Sequence, residues 1–273
     1  MISIFGGTGF IGSKFYEKYK DVSVVIPRGE VQPQSNKVLY MISTVDNYNV
    51  FTNPTLDINT NLLTLMSALE NWRLRGDCGV FNFISSWFVY GDTHLPARET
   101  SGCRPKGFYS ITKLAAEQLL QSYCKTFNIK YKIVRLGNVI GKGDGKASKK
   151  KNALQFLIDE LKADRDINLY NNGEFYRDFV HVDDVVDGIK FVMDNGENEE
   201  IYNLGSARKP TLFKDVIAYA KQEIGSHSKI GNMEPSDFHK IVQVESMYLD
   251  SSKLGALGFF PSKGVYESIK ELL

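Results

Sequence analysis

Cysteine, histidine and tryptophan are scarce in this chain, at three, four and two among 273 residues. Cys78, Cys103 and Cys124 lie far apart and are odd in number, which excludes a disulfide framework and a paired zinc spacing and fits a reducing compartment. All three are expected to pack rather than react. His94, His181, His227 and His239 show no ligand spacing, so no metal is expected. Charge of one sign is also lacking: 33 basic against 32 acidic residues leave a net +1, which argues against nucleic acid or a membrane surface as partner. No apolar run approaches the roughly 20 residues that span a bilayer. The chain enters its first strand at Met1, so no cleavable presequence is expected and the protein reads as soluble and cytoplasmic. Its one dense charge run, Lys146 to Lys151 in GKGDGKASKKKN, reads as a solvated loop, with a phosphate contact as the alternative.

What is present is enough apolar material, 42% of residues, to bury one large core or two smaller ones. The chain opens with strand MISIF, turn GGTG, helix FIGSKFYEKYK and strand VSVVI. Apolar runs at Val38 to Ile42, Val80 to Ile84 and Tyr131 to Leu136 then alternate with helical patterns at Asn59 to Trp72 and Tyr109 to Phe127. This order predicts an α/β fold with a Rossmann-type, doubly wound parallel sheet. Between Ile26 and Val38 there is no room for another helix and strand, so PRGEVQPQSN is expected to be a loop and the sheet narrower on that side. After Asn138 the pattern loosens into a helix near Ala153 to Ala163, a strand INLY and the stretch NNGEFYRDFVHVDDVVDGI. We expect residues 1–138 with about 179–204 to bind the dinucleotide, and about 139–178 with 205–273 to form a small interleaved α/β substrate lobe.

Gly6, Gly9 and Gly12 in GGTGFIG follow a strand and open a helix. The first allows a tight turn, the second lets backbone approach a pyrophosphate, and the third lets helix and strand pack closely. Free amides and partial positive charge at the helix start favour the diphosphate, so Gly6, Gly9, Phe10, Ile11 and Gly12 are expected at the cofactor. The second strand ends VVIPRG, with Arg28 where an NAD site carries an acidic residue. A guanidinium there suits a 2'-phosphate, so NADP(H) is favoured over NAD(H). The alternative is an exposed Arg28, with Glu30 serving the ribose.

Tyr109 and Lys113 in YSITK lie four apart and share a helix face. Beside a nicotinamide, the ammonium is expected to lower the phenol pKa toward neutrality and to hold the ribose, while Ser86 or Ser85 at the neighbouring strand end bonds the substrate oxygen.

With these parts in order, the chain resembles the extended short-chain dehydrogenase/reductase family, in particular its nucleotide-sugar epimerase/dehydratase branch. The resemblance rests on GGTGFIG, VFNFISS followed by VYGD, PKGFYSITKLAAEQL, VRLGNVIG, FYRDFVHVDDVVDGI, IYNLGS and LDSSKLGALGFFP. It implies Ser86 as the catalytic hydroxyl, Tyr109 as acid/base, Lys113 as its partner, and substrate-side roles for Asn138 and Arg177, the latter on the nucleotide diphosphate. It also implies a homodimer through the helices around Asn59 to Trp72 and Tyr109 to Phe127.

Two departures from the family pattern matter. The segment after the second strand, where relatives build another strand and touch the adenine, is shortened. The Asp and Glu that follow the hydroxyl in 4,6-dehydratases are replaced by Trp87 and Phe88, which disfavours dehydration, and the cysteine of GDP-fucose-synthase-like enzymes is missing too. Trp87 is read either as an apolar wall for a sugar ring or as ordinary packing, and Phe88, next along the strand, as core on the opposite face. The leading expectation is NADPH-dependent reduction of a nucleotide-diphosphate keto sugar. An NAD-dependent 4-epimerase is the alternative, and a non-catalytic NADP-binding protein is the alternative of another class.

Overall fold

The computed structural model describes residues 1–144 and 152–273. The Lys146 to Lys151 run therefore lies outside the described residues. In chain order the first half comprises β1 (Ile2–Phe5), α1 (Phe10–Tyr19), β2 (Ser23–Ile26), β3 (Lys37–Tyr40), α2 (Leu56–Ile58), α3 (Thr64–Leu74), β4 (Val80–Ser86), α4 (Phe108–Phe127) and β5 (Lys130–Leu136). Then follow β6 (Asn138–Ile140), α5 (Ala153–Lys162), β7 (Ile167–Tyr170), β8 (Tyr176–Arg177), β9 (Phe179–His181), α6 (Val182–Asn195), β10 (Glu200–Leu204), β11 (Thr211–Leu212), α7 (Phe213–Ile224), β12 (Ile230–Met233), α8 (Asp237–Val242), α9 (Ser252–Ala256) and α10 (Val265–Leu272).

Six strands form one parallel sheet in the order β10-β5-β4-β3-β1-β2. Because strand side chains alternate, the sheet feeds two cores. Phe5, Tyr40, Phe81 and Phe83 face Trp72 of α3 and Leu120 of α4, while Ile2, Ile4, Leu39 and Val134 face Phe15 of α1 and Ile189 of α6. Helices on both faces leave the strands buried on both sides, which explains why they read as continuous apolar runs. The smaller strands pair as β6 with β9, β8 with β11 and β7 with β12, and a third core joins α5, α7 and α10.

The narrow side is as the spacing predicts. β2 is the sheet edge, and residues 27–36 cross to β3 without a helix. Ser3 Oγ accepts the amides of Gln34 and Ser35, each at 2.9 Å, and Trp72 Nε1 and the Gly79 amide both donate to the Asn36 carbonyl. A loop whose polar backbone is satisfied by β1, α3 and the residue before β4 replaces the missing crossover.

Two buried charges tie helices to the sheet. Arg135 of β5 forms a two-point ion pair with Glu117 of α4, at 3.1 and 2.6 Å. Lys132 donates to the carbonyls of Val192 and Met193, capping the C-terminal end of α6. Cys78, Cys103 and Cys124 are unbridged and pack against the apolar clusters, as expected. The sequence spacing did not reveal that His181, Asp183 and Glu271 converge, with ligand atoms within 4.8 Å of one another. Lys263 supplies the cation there, with its ammonium 3.0 Å from Asp183 and 2.7 Å from Glu271.

Candidate active site

A cleft of about 1150 Å³ opens along the C-terminal ends of the sheet strands, where open α/β sheets bind ligands. At its first wall, β1 ends in Gly6 with φ +82°, a conformation that side chains resist. Gly12 is required by contact: a Cβ there would sit 2.2 Å from the Gly6 carbonyl oxygen and 2.8 Å from Gly7 Cα. Helix α1 starts at Phe10 with no acidic residue in its first turn, so the amides of Phe10, Ile11 and Gly12 face the cleft without intrahelical acceptors. That cradle fits a dinucleotide diphosphate. Arg28 lies exposed on the rim just past β2 and has no hydrogen bond or ion pair among the described residues. Glu30 follows a turn in which its amide bonds the Pro27 carbonyl.

The second wall gathers Ser86, Tyr109 and Lys113. Ser86 ends β4, and its Oγ accepts the Phe88 amide at 3.3 Å, closing a short 3-10 turn over Trp87–Val89. Ser86 and Ser43 lie near enough to the Tyr109 hydroxyl to pull its pKa down. Lys113 is fully buried. Its ammonium donates to the Ile84 carbonyl at 2.7 Å and stands 4.1 Å over the Phe83 ring.

Without the nicotinamide that the sequence expectation assumed, the titration of this pair is set by burial. Burial pushes the Tyr109 phenol up, and the negative charge of Asp57 adds to this, while the bonds to Ser86 and Ser43 oppose it. Burial also pushes Lys113 down to about 7 against a smaller opposing pull from Glu117. In the chain by itself, desolvation therefore outweighs any ammonium–phenolate attraction.

Tyr109 sits in the first turn of α4, whose N-terminal end is braced from two sides. Ser110 Oγ accepts the Gly107 amide at 2.9 Å, and Asn47 Oδ1, from a remote loop, accepts the Tyr109 amide at 3.1 Å. The Asn47 loop is held in turn by Asn61, whose Oδ1 accepts the Thr44 amide and the Ser43 hydroxyl and whose Nδ2 donates to Thr44 and Thr112. Asn61 lies in a π-helical turn, Asn59–Leu63, between α2 and α3. Such turns re-aim side chains out of helical register.

Trp87 is buried in the apolar cluster of Val89, Tyr90, Ala97, Met247 and Leu249, and the reading of Phe88 needs a correction. The strand stops at Ser86, so period-two alternation no longer applies, and the 3-10 turn brings both rings to the cleft. They stack at 3.8 Å and 24°, and Phe88 meets Tyr109 edge-on at 5.6 Å and 81°. Phe88 is half-buried and lines the cleft, and is not core on the opposite face. Ser85, one residue before Ser86, is buried with no partner for its hydroxyl among the described residues.

Asn138 and Arg177 line the far side. Asn138 Nδ2 is pinned to the Asp178 carbonyl at 3.1 Å. Arg177 donates to the main-chain carbonyls of Tyr176, Val244 and Glu245 and lies 4.6 Å over Phe175 and 5.8 Å over Trp87. Burial lowers its pKa to about 10. Across the cleft mouth, Tyr48 Oη bonds His239 Nδ1 at 3.0 Å, and His239 packs 4.3 Å from Tyr170. Sequence reasoning passed over Ser43, Asn47, Asn61, Tyr48 and His239, which lie in segments without a motif. The one available signal was the polar density of STVDNYN beside a helix.

Comparison with known proteins agrees with this geometry. A Methanocaldococcus jannaschii protein provisionally named a UDP-glucose 4-epimerase is 26% identical over all of this chain and 97% of its own length. The dTDP-4-dehydro-6-deoxyglucose reductase of Escherichia coli is 22% identical over 94% of this chain and 78% of its own. Among solved structures, the Thermotoga maritima UDP-glucose 4-epimerase with UDP-glucose superposes with a TM-score of 0.87 at 21% identity, covering 99% of this chain and 96% of that one. RMD from Pseudomonas aeruginosa, complexed with NADPH, gives 0.83 at 21%, covering 100% and 97%. The model of the NAD dependent epimerase/dehydratase family matches residues 30–205, well over half of the sequence, and the chain belongs to that family.

Proposed function

We propose that the protein is an NADPH-dependent reductase of a nucleotide-diphosphate keto sugar. The observation that carries this reading is Arg28, a free guanidinium on the cleft rim where a 2'-phosphate needs a cation and a bare ribose needs a carboxylate. Bound NADPH supplies the hydride that the sugar carbonyl carbon accepts. Tyr109 gives its proton to the carbonyl oxygen, a role suited to a phenol that burial keeps protonated. Ser86 donates a hydrogen bond to the same oxygen and polarises it, and Lys113 holds the ribose side and restores the Tyr109 proton. The lobe formed by about 139–178 with 205–273 takes the nucleotide sugar, with Asn138 and Arg177 on its diphosphate side.

A second reading, an epimerase holding NAD, is favoured by the full-length likeness to the M. jannaschii protein. The two readings separate on the cofactor. Protein purified without added nucleotide is denatured and the supernatant analysed by mass spectrometry, alongside NADPH and NADH titrations. An empty site that binds NADPH at least about tenfold more tightly than NADH, with the preference erased by Arg28→Ala, supports the reductase. Retained NAD near one per chain, with no preference, overturns it in favour of the epimerase. Unchanged turnover in Tyr109→Phe would remove both and leave a non-catalytic binding protein.

A further inference from the structure

Tyr48 and His239 make a contact across the cleft mouth that the reaction as proposed does not use. Asn47 and Tyr48 are neighbours in the chain and engage different elements: the Asn47 carboxamide accepts the Tyr109 amide at 3.1 Å, while the Tyr48 hydroxyl meets Nδ1 of His239, on α8, at 3.0 Å. One dipeptide thereby joins the catalytic helix α4 to the substrate lobe.

The Tyr109 amide belongs to the first turn of α4, where main-chain N–H groups have no intrahelical acceptor, so its bond to Asn47 is what fixes it. The Asn47 side chain is buried and its Nδ2 has no partner among the described residues, so the carboxamide lies where the backbone at 47 puts it. Asn61 holds that loop at Ser43 and Thr44. Its other end is held at Tyr48. The Tyr48 amide donates to Asp46 Oδ1 at 2.7 Å, and the Tyr48 and Phe51 rings flank Phe238 of α8 edge-on, at 5.1 and 4.6 Å. His239 is seated in turn by Tyr170 of β7 at 4.3 Å and by Ser236 Oγ, which accepts its amide at 3.3 Å. Burial, and then the charge of Arg177, push the His239 imidazole below its ordinary value, while burial pushes the Tyr48 phenol up. At neutral pH the phenol therefore donates and the uncharged ring accepts. Just past α8, the carbonyls of Val244 and Glu245 hold Arg177, so this one short helix is tied both to the diphosphate side and to the brace of Tyr109.

We propose that Tyr48 and His239 are positioning residues for Tyr109, through which the substrate lobe sets the catalytic turn. This rests on the reading of Tyr109 as proton donor to a nucleotide-sugar carbonyl and adds what aims it. Small errors in that aim are costly, because proton transfer needs the phenol within hydrogen-bond reach of the reacting oxygen.

Amide hydrogen exchange of the full chain, read at Tyr109 by NMR, tests the link without any substrate. Tyr48→Phe keeps the ring on Phe238 and removes only the hydroxyl, and it should speed exchange of the Tyr109 amide about three- to tenfold, the worth of one net hydrogen bond. His239→Ala should match it, and His239→Asn, whose Oδ1 stands in for Nδ1 as acceptor, should restore the wild-type rate. In the Asn47→Ala background, where the acceptor of the amide is gone, Tyr48→Phe should add nothing. With dTDP-4-dehydro-6-deoxyglucose and its UDP counterpart as substrates, NADPH oxidation should show kcat falling by the same factor in Tyr48→Phe, with KM for sugar and cofactor held within about twofold. Unchanged Tyr109 exchange in both Tyr48→Phe and His239→Ala, an undiminished effect in the Asn47→Ala background, or a raised KM at unchanged kcat overturns the positioning role and leaves the reductase reading standing. A wild type that reduces neither sugar overturns that reading, and this inference with it.

Discussion

Replacing Lys113 with methionine exchanges a buried ammonium for an apolar chain of similar length and should stabilise the fold while abolishing turnover. The drop from 10.5 to about 7 corresponds to about 5 kcal/mol held against the folded state below pH 7. Against this, losing the bond to the Ile84 carbonyl costs about 1 to 3 kcal/mol. The net gain below pH 7 is therefore about 2 to 4 kcal/mol. Its size changes with pH in a defined way. Because the folded pKa lies below the unfolded one, the wild-type penalty is complete below about pH 7 and is relieved as pH rises toward 10.5. Urea unfolding of both proteins from pH 6 to pH 9 should show the variant's advantage shrinking by about 2 to 3 kcal/mol between pH 7 and 9. Taking the difference between the two proteins cancels other groups that titrate in the window. Parallel stability curves across that range would refute the argument that burial of Lys113 is costly.

The Glu117→Gln variant leaves Arg135 buried without its counter-charge and should lose about 3 to 5 kcal/mol in urea unfolding. Asn47→Ala removes the acceptor for the Tyr109 amide, so about 1 kcal/mol of stability and a larger share of kcat should go, with little change in cofactor affinity by titration. Leu63, Phe108 and Ile111 are large apolar residues exposed on the π turn and on α4, and they favour a homodimer through these helices. Sedimentation velocity should give a dimer at micromolar concentration and a monomer for Ile111→Glu, and a monomeric wild type would remove the assembly.

The sheet, the glycine turn and the Tyr109–Lys113 pair were legible because each rests on local periodicity: buried strands as apolar runs, glycines three apart, side chains four apart on one helix face. The narrow edge was legible from chain length alone, since residues 27–36 cannot hold a crossover helix and strand. Phe88 was misread because alternation was carried one turn past the strand end at Ser86. The titration of Tyr109 in the chain by itself depends on depth of burial, which arises from elements far apart in the chain. Asn47 and His239 reach the cleft, and Asn61 braces the Ser43–Thr44 segment behind it, by the same long-range route, so no spacing announces them.

Asn47 and Gly107 have a consequence for how this protein can change. Gly107 has φ −117°, which any residue adopts, so its backbone does not require glycine. A Cβ there would nevertheless lie 2.1 Å from Asn47 Oδ1. The same carboxamide that fixes the Tyr109 amide thus forbids any larger residue two positions before it. The two positions, sixty residues apart, are linked in one direction: a side chain at 107 is blocked until the asparagine at 47 has moved, and homologues that gain a side chain at 107 should have given up the asparagine at 47.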